Sequence, residues 1–476
     1  METTSVTEQW MVARQLIVQK EFKQAYEILN ILSAKYKHPE LWVDLIKVAI
    51  KEKKFDDAAD WIARLQSFYP NDVRGFGLKA NLCYCLGYYN EALQLYRELI
   101  LISPNDIGYL VSMAYTHCML RQFDEAIYFF KQSEIFLKEY PAVWLRNYAT
   151  ALLFSKDIQS AIKYFEKIDC TQYPDSQHDP EFWFHFGLAY DQAGQNTKAL
   201  SCYQLAIKID RNHIQSLYNM SVIYGRQKKR QEALSCLNQI LTFQPDHILA
   251  KTLYDIYSAQ ELPKLPLIFI QTLFDQYSFN YEAHLKKELD YQAPAIARSV
   301  LVRHAPNLTA GVLYDLGAGT GAMGLVMQDL ASKLIAVDCS EGMLQQARQR
   351  GLYHEYIVDD VMHWAASALW NADFITMIEL SNYLGADLNE LLDLAINALN
   401  PGGWLVLTAE ELRVIDCEKP FQMTEHARYA YQESFFKNFF NNHINVSKYA
   451  IERHPLRMHD GQEEIGLYCV VQKKIK

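Results

Sequence analysis

The chain has 476 residues, of which 50% are hydrophobic, 21% charged and 13% aromatic, with a net charge of −10 at pH 7. At roughly 100–200 residues per domain this is a globular protein of two or three domains, and a long disordered chain is excluded. Charge is uneven: residues 1–260 hold 28 basic against 29 acidic side chains, residues 261–476 hold 18 against 27, so the second half is a poor match to phosphate backbones and nucleic acid is not an expected partner.

No run approaches the roughly 20 apolar residues of a membrane-spanning helix. The opening Met1-Glu2-Thr3-Thr4 has no basic stretch followed by an apolar core, so no secretory signal is expected. Nine cysteines, odd in number and without a C-x-x-C pair, fit reduced thiols in the cytoplasm. Neither a disulfide framework nor a metal site is expected from them.

From the N-terminus the pattern is repetitive. Ala58, Ala92 and Ala126 stand 34 residues apart, as do Ala199 and Ala233 and also Pro70 and Pro104. The steps from Ala126 to Ala161 and on to Ala199 are longer, the excess falling in the polar, proline-containing stretch 169–180. Tyr96, Phe130, Phe165 and Tyr203 each follow one of these alanines by four residues, one helical turn on the same face. Two antiparallel helices of this length cannot bury their own apolar face and must stack on neighbours. Together with Gly187-Leu188-Ala189-Tyr190 and Gly194, the spacing resembles the tetratricopeptide repeat. About seven units are expected across residues 6–247, beginning with a degenerate one around Ala25, with a capping helix over residues 248–257. The resemblance implies an all-α superhelical solenoid whose concave surface docks a protein or peptide. Asn81, Tyr115, Asn147 and Asn219 are candidates for that groove; the repeat aromatics read as core.

Glu261-Leu262-Pro263-Lys264-Leu265-Pro266 breaks the helical pattern with two prolines. We place a repeat array at 1–257, a linker at 258–266 and a second domain at 267–476. In that second domain short apolar runs alternate with helical stretches, predicting an α/β fold with a mainly parallel sheet. Strands are expected at 312–316, 334–338, 355–358, 372–378 and 404–408, with a helix over 388–399 leading into Asn400-Pro401-Gly402-Gly403. Four successive strands end in polar groups at the carboxyl edge, where open α/β sheets bind ligands.

The first strand runs into Gly317-Ala318-Gly319-Thr320-Gly321, a turn that lets backbone approach a ligand closely. The second ends in Asp338, whose carboxylate can accept bonds from vicinal ribose hydroxyls or, alternatively, cap a helix. These features indicate a nucleoside-containing cofactor, and Gly317, Gly319 and Ala322 also satisfy the dinucleotide pattern G-x-G-x-x-A. Asp315, just ahead of the glycines, suits a cationic ligand and would repel a pyrophosphate. Asp360 can accept from an adenine amino group or act as a cap. Together Asp315–Gly321, Val337-Asp338, Asp360 and Leu399–Gly403 resemble a class I S-adenosylmethionine-dependent methyltransferase with a Rossmann-like domain. The resemblance implies cofactor contacts from Asp315, Gly317, Ala318, Gly319, Asp338, Cys339, Met343, Asp360, Val361 and Glu379. Met343 reads equally as core, and Glu379 equally as a solvated strand-end acid.

Upstream, Leu273-Phe274-Asp275-Gln276-Tyr277-Ser278-Phe279-Asn280-Tyr281-Glu282-Ala283-His284-Leu285, then Leu289-Asp290-Tyr291-Gln292-Ala293-Pro294, is similar to the signature FDxYAxxFDxHL of bacterial methyltransferases with N-terminal tetratricopeptide repeats. That family lies near the SmtA/UbiE-type small-molecule enzymes. Tyr281-Glu282 replace Phe-Asp, and Tyr431 stands where the family's GRFAHS segment has His, while Arg428 matches. The resemblance makes Tyr277 a cofactor contact or a packing residue. It makes Tyr281, His284, Tyr383, Arg428 and Tyr431 acceptor contacts, with His284 and Tyr383 the candidate catalytic groups. The expected activity is methyl transfer from S-adenosylmethionine to a small-molecule or protein acceptor. The alternative is a non-catalytic repeat scaffold carrying a cofactor-binding or degenerate domain; a dehydrogenase is third.

Overall fold

The computed structural model describes residues 6–169, 178–260, 262–277, 291–305, 308–412, 419–424, 427–459 and 462–475. The chain forms two compact units, Met1–Asn219 and Met220–Lys476.

The first unit is helical throughout its described residues. Six antiparallel pairs follow one another: Val6–Val18 with Phe22–Lys35, Pro39–Lys51 with Phe55–Phe68, Val73–Cys85 with Tyr89–Ile102, Ile107–Met119 with Phe123–Glu134, Ala142–Phe154 with Ile158–Glu166, and Pro180–Gln192 with Asn196–Ile209. Between the members of each pair one residue takes a left-handed backbone: Lys20, Lys53, Gly87, Arg121, Lys156 and Gly194. The repeat is thus written in backbone conformation, yet only two of the six positions are glycine, which hides it from a search for turn glycines. Ala25, Ala58, Ala92, Ala126, Ala161 and Ala199 are all completely buried, with Tyr96, Phe130, Phe165 and Tyr203 beside them in the core. A small side chain there lets two helices approach, and the aromatic one turn on fills the space that approach leaves. Gly187 shows how tight this is, since a Cβ on it would fall 2.7 Å from the Tyr203 ring.

Two of the four groove candidates are occupied by this core. Tyr96 Oη donates to Asn81 Oδ1 at 2.6 Å, and Asn219 Nδ2 donates to Tyr203 Oη at 3.2 Å. Tyr115 packs on Phe130. Asn147 is bonded within its own helix, to the Val143 carbonyl.

The second unit opens with a further pair, Ile214–Arg226 (which the division cuts) and Arg230–Phe243, again with a left-handed residue between them, Lys228, and with Ala233 fully buried. The helix Ile248–Tyr257 follows. The stretch expected to be a linker is packed within this unit. Leu262 O accepts from Tyr429 Oη, Pro263 O accepts from the Ala386 amide, and Lys264 pairs with Asp387.

After the helices Leu267–Tyr277 and Ala293–His304 comes a sheet built from β1 (Gly311–Leu316), β2 (Ala331–Asp338), β3 (Glu355–Val358), β4 (Ala372–Met377), β5 (Leu399–Glu411), β6 (Phe421–Met423), β7 (Tyr429–Tyr431), β8 (Val446–His459) and β9 (Gln462–Lys473). Its parallel part runs β3-β2-β1-β4-β5, and the short β7 adds in parallel to the end of β5. The order reverses between β1 and β4, so the chain leaves neighbouring strands in opposite directions and opens a crevice at their carboxyl ends. β9 adds antiparallel to β5, and β8 to β9, a long hairpin that the sequence reading did not reach. The core lies on both faces, with Leu313, Leu334, Ala336, Phe374 and Val406 buried on one and Ile335, Val337, Ile375, Leu405 and Leu407 on the other.

Candidate functional site

A glycine turn forms because β1 must end abruptly. Gly317 and Gly319 take φ values of 72° and 54°, a region in which an L side chain is strained. The Gly317 and Ala318 amides donate back to Val337 O, drawing the turn against β2. Gly324 serves differently: its amide donates to Tyr353 Oη at 3.0 Å, and a Cβ there would lie 2.5 Å from that ring.

Above this turn is a narrow cleft of about 90 Å³. Of the expected residues, the structure brings Gly317, Gly319, Asp338, Cys339, Met343, Asp360, Val361, Glu379 and Tyr383 to its wall. Asp338 Oδ2 accepts from the Gly319 amide at 2.8 Å and Oδ1 from the Ser340 amide at 2.9 Å. Burial pushes its carboxyl above the ordinary range, and those two amides oppose the shift. Asp360 does cap a helix, its Oδ1 accepting from the Met362 amide at 3.2 Å, and it lines the cleft as well. Burial first, with the Asp338 charge, pushes the Cys339 thiol up to about 12, so it is a wall and not a nucleophile. Glu379 has a left-handed backbone, φ 58°, and its amide donates to Thr408 Oγ1. A non-glycine residue there costs on the order of 1–2 kcal/mol and turns the side chain out of the β4 direction.

Four expected residues do not line the cleft. Asp315 is nearly completely buried in the sheet, accepting from Tyr353 Oη at 2.5 Å and Thr376 Oγ1 at 2.7 Å. With its carboxylate spent on internal donors, it supports the glycine turn from behind. Ala318 is buried with its amide on Val337 O. Tyr431 is fully buried, and its hydroxyl donates to Ser381 O and Gly385 O, holding the loop that carries Tyr383. Arg428 lies near Tyr383 and 3.9 Å from Glu464. Burial works against the Arg428 charge, but Tyr383, Glu379 and Glu464 outweigh it and keep the guanidinium firmly ionised. Tyr281, His284 and the side chain of Tyr277 lie outside the described residues.

Sequence reasoning missed two groups. The apolar cover of the cleft includes Leu267, Ile270 and Phe274 from one helix, with Leu380 and Leu384 opposite. Gln271 Nε2 donates to Cys339 O at 3.3 Å, and Asp275 accepts from Ser340 Oγ at 2.5 Å, fastening that helix down. Its i, i+3, i+7 apolar spacing is visible in the sequence, but nothing local says what it covers. The second group is a buried ion cluster of Arg457, Glu379, Glu410 and Glu464. Three of its members come from β5, β8 and β9, distant in sequence from the glycine turn. A larger cavity of about 630 Å³ lies elsewhere in this unit, between residues 225–230, 256–263 and 419–429. It has neither the glycine turn nor a strand-end carboxylate in its wall.

A methyltransferase-domain family model matches residues 313–403. Residues 313–403 are thus similar to a methyltransferase domain. The match takes in the glycine turn, Asp338, Asp360, Glu379 and the Pro401-Gly402-Gly403 segment. A tetratricopeptide-repeat model matches residues 180–213 and 214–247, which coincide with the pairs starting at Pro180 and Ile214. No curated protein matches the chain. Similar solved structures include YrrB, a tetratricopeptide-repeat protein with an unusual peptide-binding site (21% identity, 40% of this chain and 95% of that one, TM-score 0.35). Another is the 1,6-didemethyltoxoflavin-N1-methyltransferase of Burkholderia thailandensis (15% identity, 43% and 87%, TM-score 0.34). A third is the magnesium protoporphyrin IX methyltransferase of Synechocystis PCC 6803 (12% identity, 43% and 96%, TM-score 0.32). Likenesses at these scores add no argument of their own.

Proposed function

We propose that the methyltransferase domain binds S-adenosylmethionine in the cleft over the glycine turn and transfers its methyl group to an acceptor. The repeat pairs of residues 1–257 dock a protein or peptide, and residues 258–266 join the two parts. One observation carries the cofactor reading. Asp338 ends β2, Asp360 and Glu379 follow β3 and β4 along the carboxyl edge, and no lysine or arginine is among the described residues lining the cleft. A pyrophosphate would meet three carboxylates there, whereas a sulfonium nucleoside meets charge of the opposite sign.

The residues divide the work by position. Asp338 accepts from the ribose hydroxyls, using lone pairs left over from its two amide bonds. Asp360, on the β3 side, accepts from the adenine amino group. Met343 and Val361 give the base an apolar wall. Glu379 and Tyr383, on the β4 side, face the reacting end. The bound cofactor supplies an electrophilic methyl on a positively charged sulfur. The chain's part is to orient that methyl, exclude water and receive a proton from the acceptor where one is lost. The cleft is smaller than the roughly 300–1,000 Å³ of a small-molecule site. That narrowness is what favours the second reading, a scaffold whose domain takes no cofactor.

Calorimetric titration of the purified chain with S-adenosylhomocysteine, and with NAD alongside, tests the reading in a cytoplasm-like reducing buffer. Saturable micromolar binding of the first and not the second is the expected result. A folded chain that binds neither ligand would overturn it in favour of the scaffold.

A further inference from the structure

Beyond the cofactor cleft, at the β4 and β5 end of the sheet edge, five charged side chains pack together. Arg457, from β8, has a side chain only 1% exposed and is ion-paired to Glu379, Glu410 and Glu464, the last at 2.5 Å. Arg428, ahead of β7, approaches Glu464 at 3.9 Å. Among the described residues, three carboxylates therefore meet two guanidiniums, and this set, fully ionised, holds one surplus negative charge. An uncompensated charge in such a place is costly. Of the five, Glu379 alone reaches the cleft wall. Its Oε2 is taken by Arg457 and by Asn382 Nδ2, while its Oε1 is buried with no hydrogen-bond partner. The unused acceptor thus belongs to a residue of the cleft wall, on the side assigned to the reacting end.

Resting on the cofactor reading above, we propose that Glu379, backed by this cluster, is the counter-charge to the cofactor's sulfonium and the acceptor of the proton released in methyl transfer. In that step the bond between sulfur and the methyl carbon breaks with its electron pair left on sulfur. The acceptor's lone pair forms the new bond to carbon, and the acceptor's proton goes to Glu379 Oε1. Before the step the cluster's negative charge balances the sulfonium; after it the cluster is protonated and the sulfide is neutral. No net charge is created in the buried site at either stage, which is the electrostatic condition for a fast step in a water-poor cleft. The groups facing Glu379 are Asn382 and Tyr383 from the turn after β4, Thr408 and Glu410 from β5, Arg428, Arg457 from β8, and Glu464 and Tyr468 from β9. Burial pushes the Glu410 carboxyl upward against the pull of Arg457.

The test needs no methyl acceptor. The full chain is titrated calorimetrically with S-adenosylmethionine and with S-adenosylhomocysteine, each in two buffers of different protonation enthalpy. Affinity and proton release are read together. The methylated cofactor is expected to bind on the order of tenfold tighter than the demethylated one and to release more protons. Glu379→Gln keeps the shape and removes the charge, and is expected to abolish both differences. Glu410→Gln removes the surplus charge without altering the cleft wall, and is expected to shrink both. If Glu379→Gln does not fold, the wild type and Glu410→Gln still decide. Equal affinity and equal proton release for the two cofactors in the wild type would overturn the proposal, as would differences that persist in the folded variants. Failure of both nucleosides to bind would overturn the cofactor reading itself, and this inference with it.

Discussion

Replacing Asp338 with alanine should weaken both the fold and the cofactor complex, by amounts that can be separated. The carboxylate accepts the Gly319 amide at 2.8 Å and the Ser340 amide at 2.9 Å, one on each oxygen. Alanine orphans both donors next to a nearly buried turn. At about 1.5–3 kcal/mol for each bond to a charged group, less the relief of a carboxylate that burial already disfavours, the fold should lose about 3 kcal/mol. Two bonds to ribose hydroxyls lost at the same time should weaken S-adenosylhomocysteine by about 2–4 kcal/mol, or roughly 30- to 800-fold in Kd. Urea unfolding gives the first quantity. Calorimetry at 25 °C, on protein shown to be folded, gives the second. Asp338→Asn keeps one acceptor oxygen and should fall between wild type and alanine in both. A Kd for folded Asp338→Ala within threefold of wild type would refute the ribose role and leave Asp338 as a turn anchor alone.

Three further outcomes follow from the same packing. Tyr353→Phe removes the donor to Asp315 and the acceptor for the Gly324 amide, and should cost about 2–4 kcal/mol of stability by urea unfolding. Asp315 sets a pH dependence. Burial first, against the bonds from Tyr353 and Thr376, pushes its carboxyl up to about 6 from 3.8, so between those values the native state binds the proton more tightly than the unfolded chain. Its contribution to stability is therefore full below about pH 4, declines by up to about 3 kcal/mol as pH rises through 6, and is flat above. Asp315→Asn should remove that slope from a pH series of unfolding midpoints, and an unchanged slope would sink the assignment. Gly187→Ala drives a methyl to 2.7 Å from the Tyr203 ring and should destabilise the helical unit by about 1–3 kcal/mol in thermal unfolding; a neutral result would mean that the ring has room to move.

Much of this protein is legible in its sequence because the information is local. The 34-residue step of Ala58, Ala92 and Ala126 shows in one dimension a contact that recurs in three, so the helix pairs and their buried alanines follow from counting. Gly317, Gly319 and Asp338 are equally local, since a strand that ends on a glycine turn and the next that ends on an acid come together in any parallel βαβ unit. Charge at a strand end is not sufficient to read a role, however. Asp315 and Asp338 both end apolar runs, and only register distinguishes them. Asp315 sits between Ala336 and Thr376 inside the sheet, while Asp338, the last residue of β2, clears its edge. Tyr431 and Arg428 stand outside the cleft wall for the same reason: a motif gives neighbours along the chain, not the face on which a side chain emerges. What tertiary structure alone decided is the ion cluster around Arg457 and the helical cover of the cleft. Glu379, Glu410, Arg457 and Glu464 lie on four separate segments spread over 86 residues. They meet because the β8–β9 hairpin folds back beside β5, a long-range pairing that no local periodicity encodes.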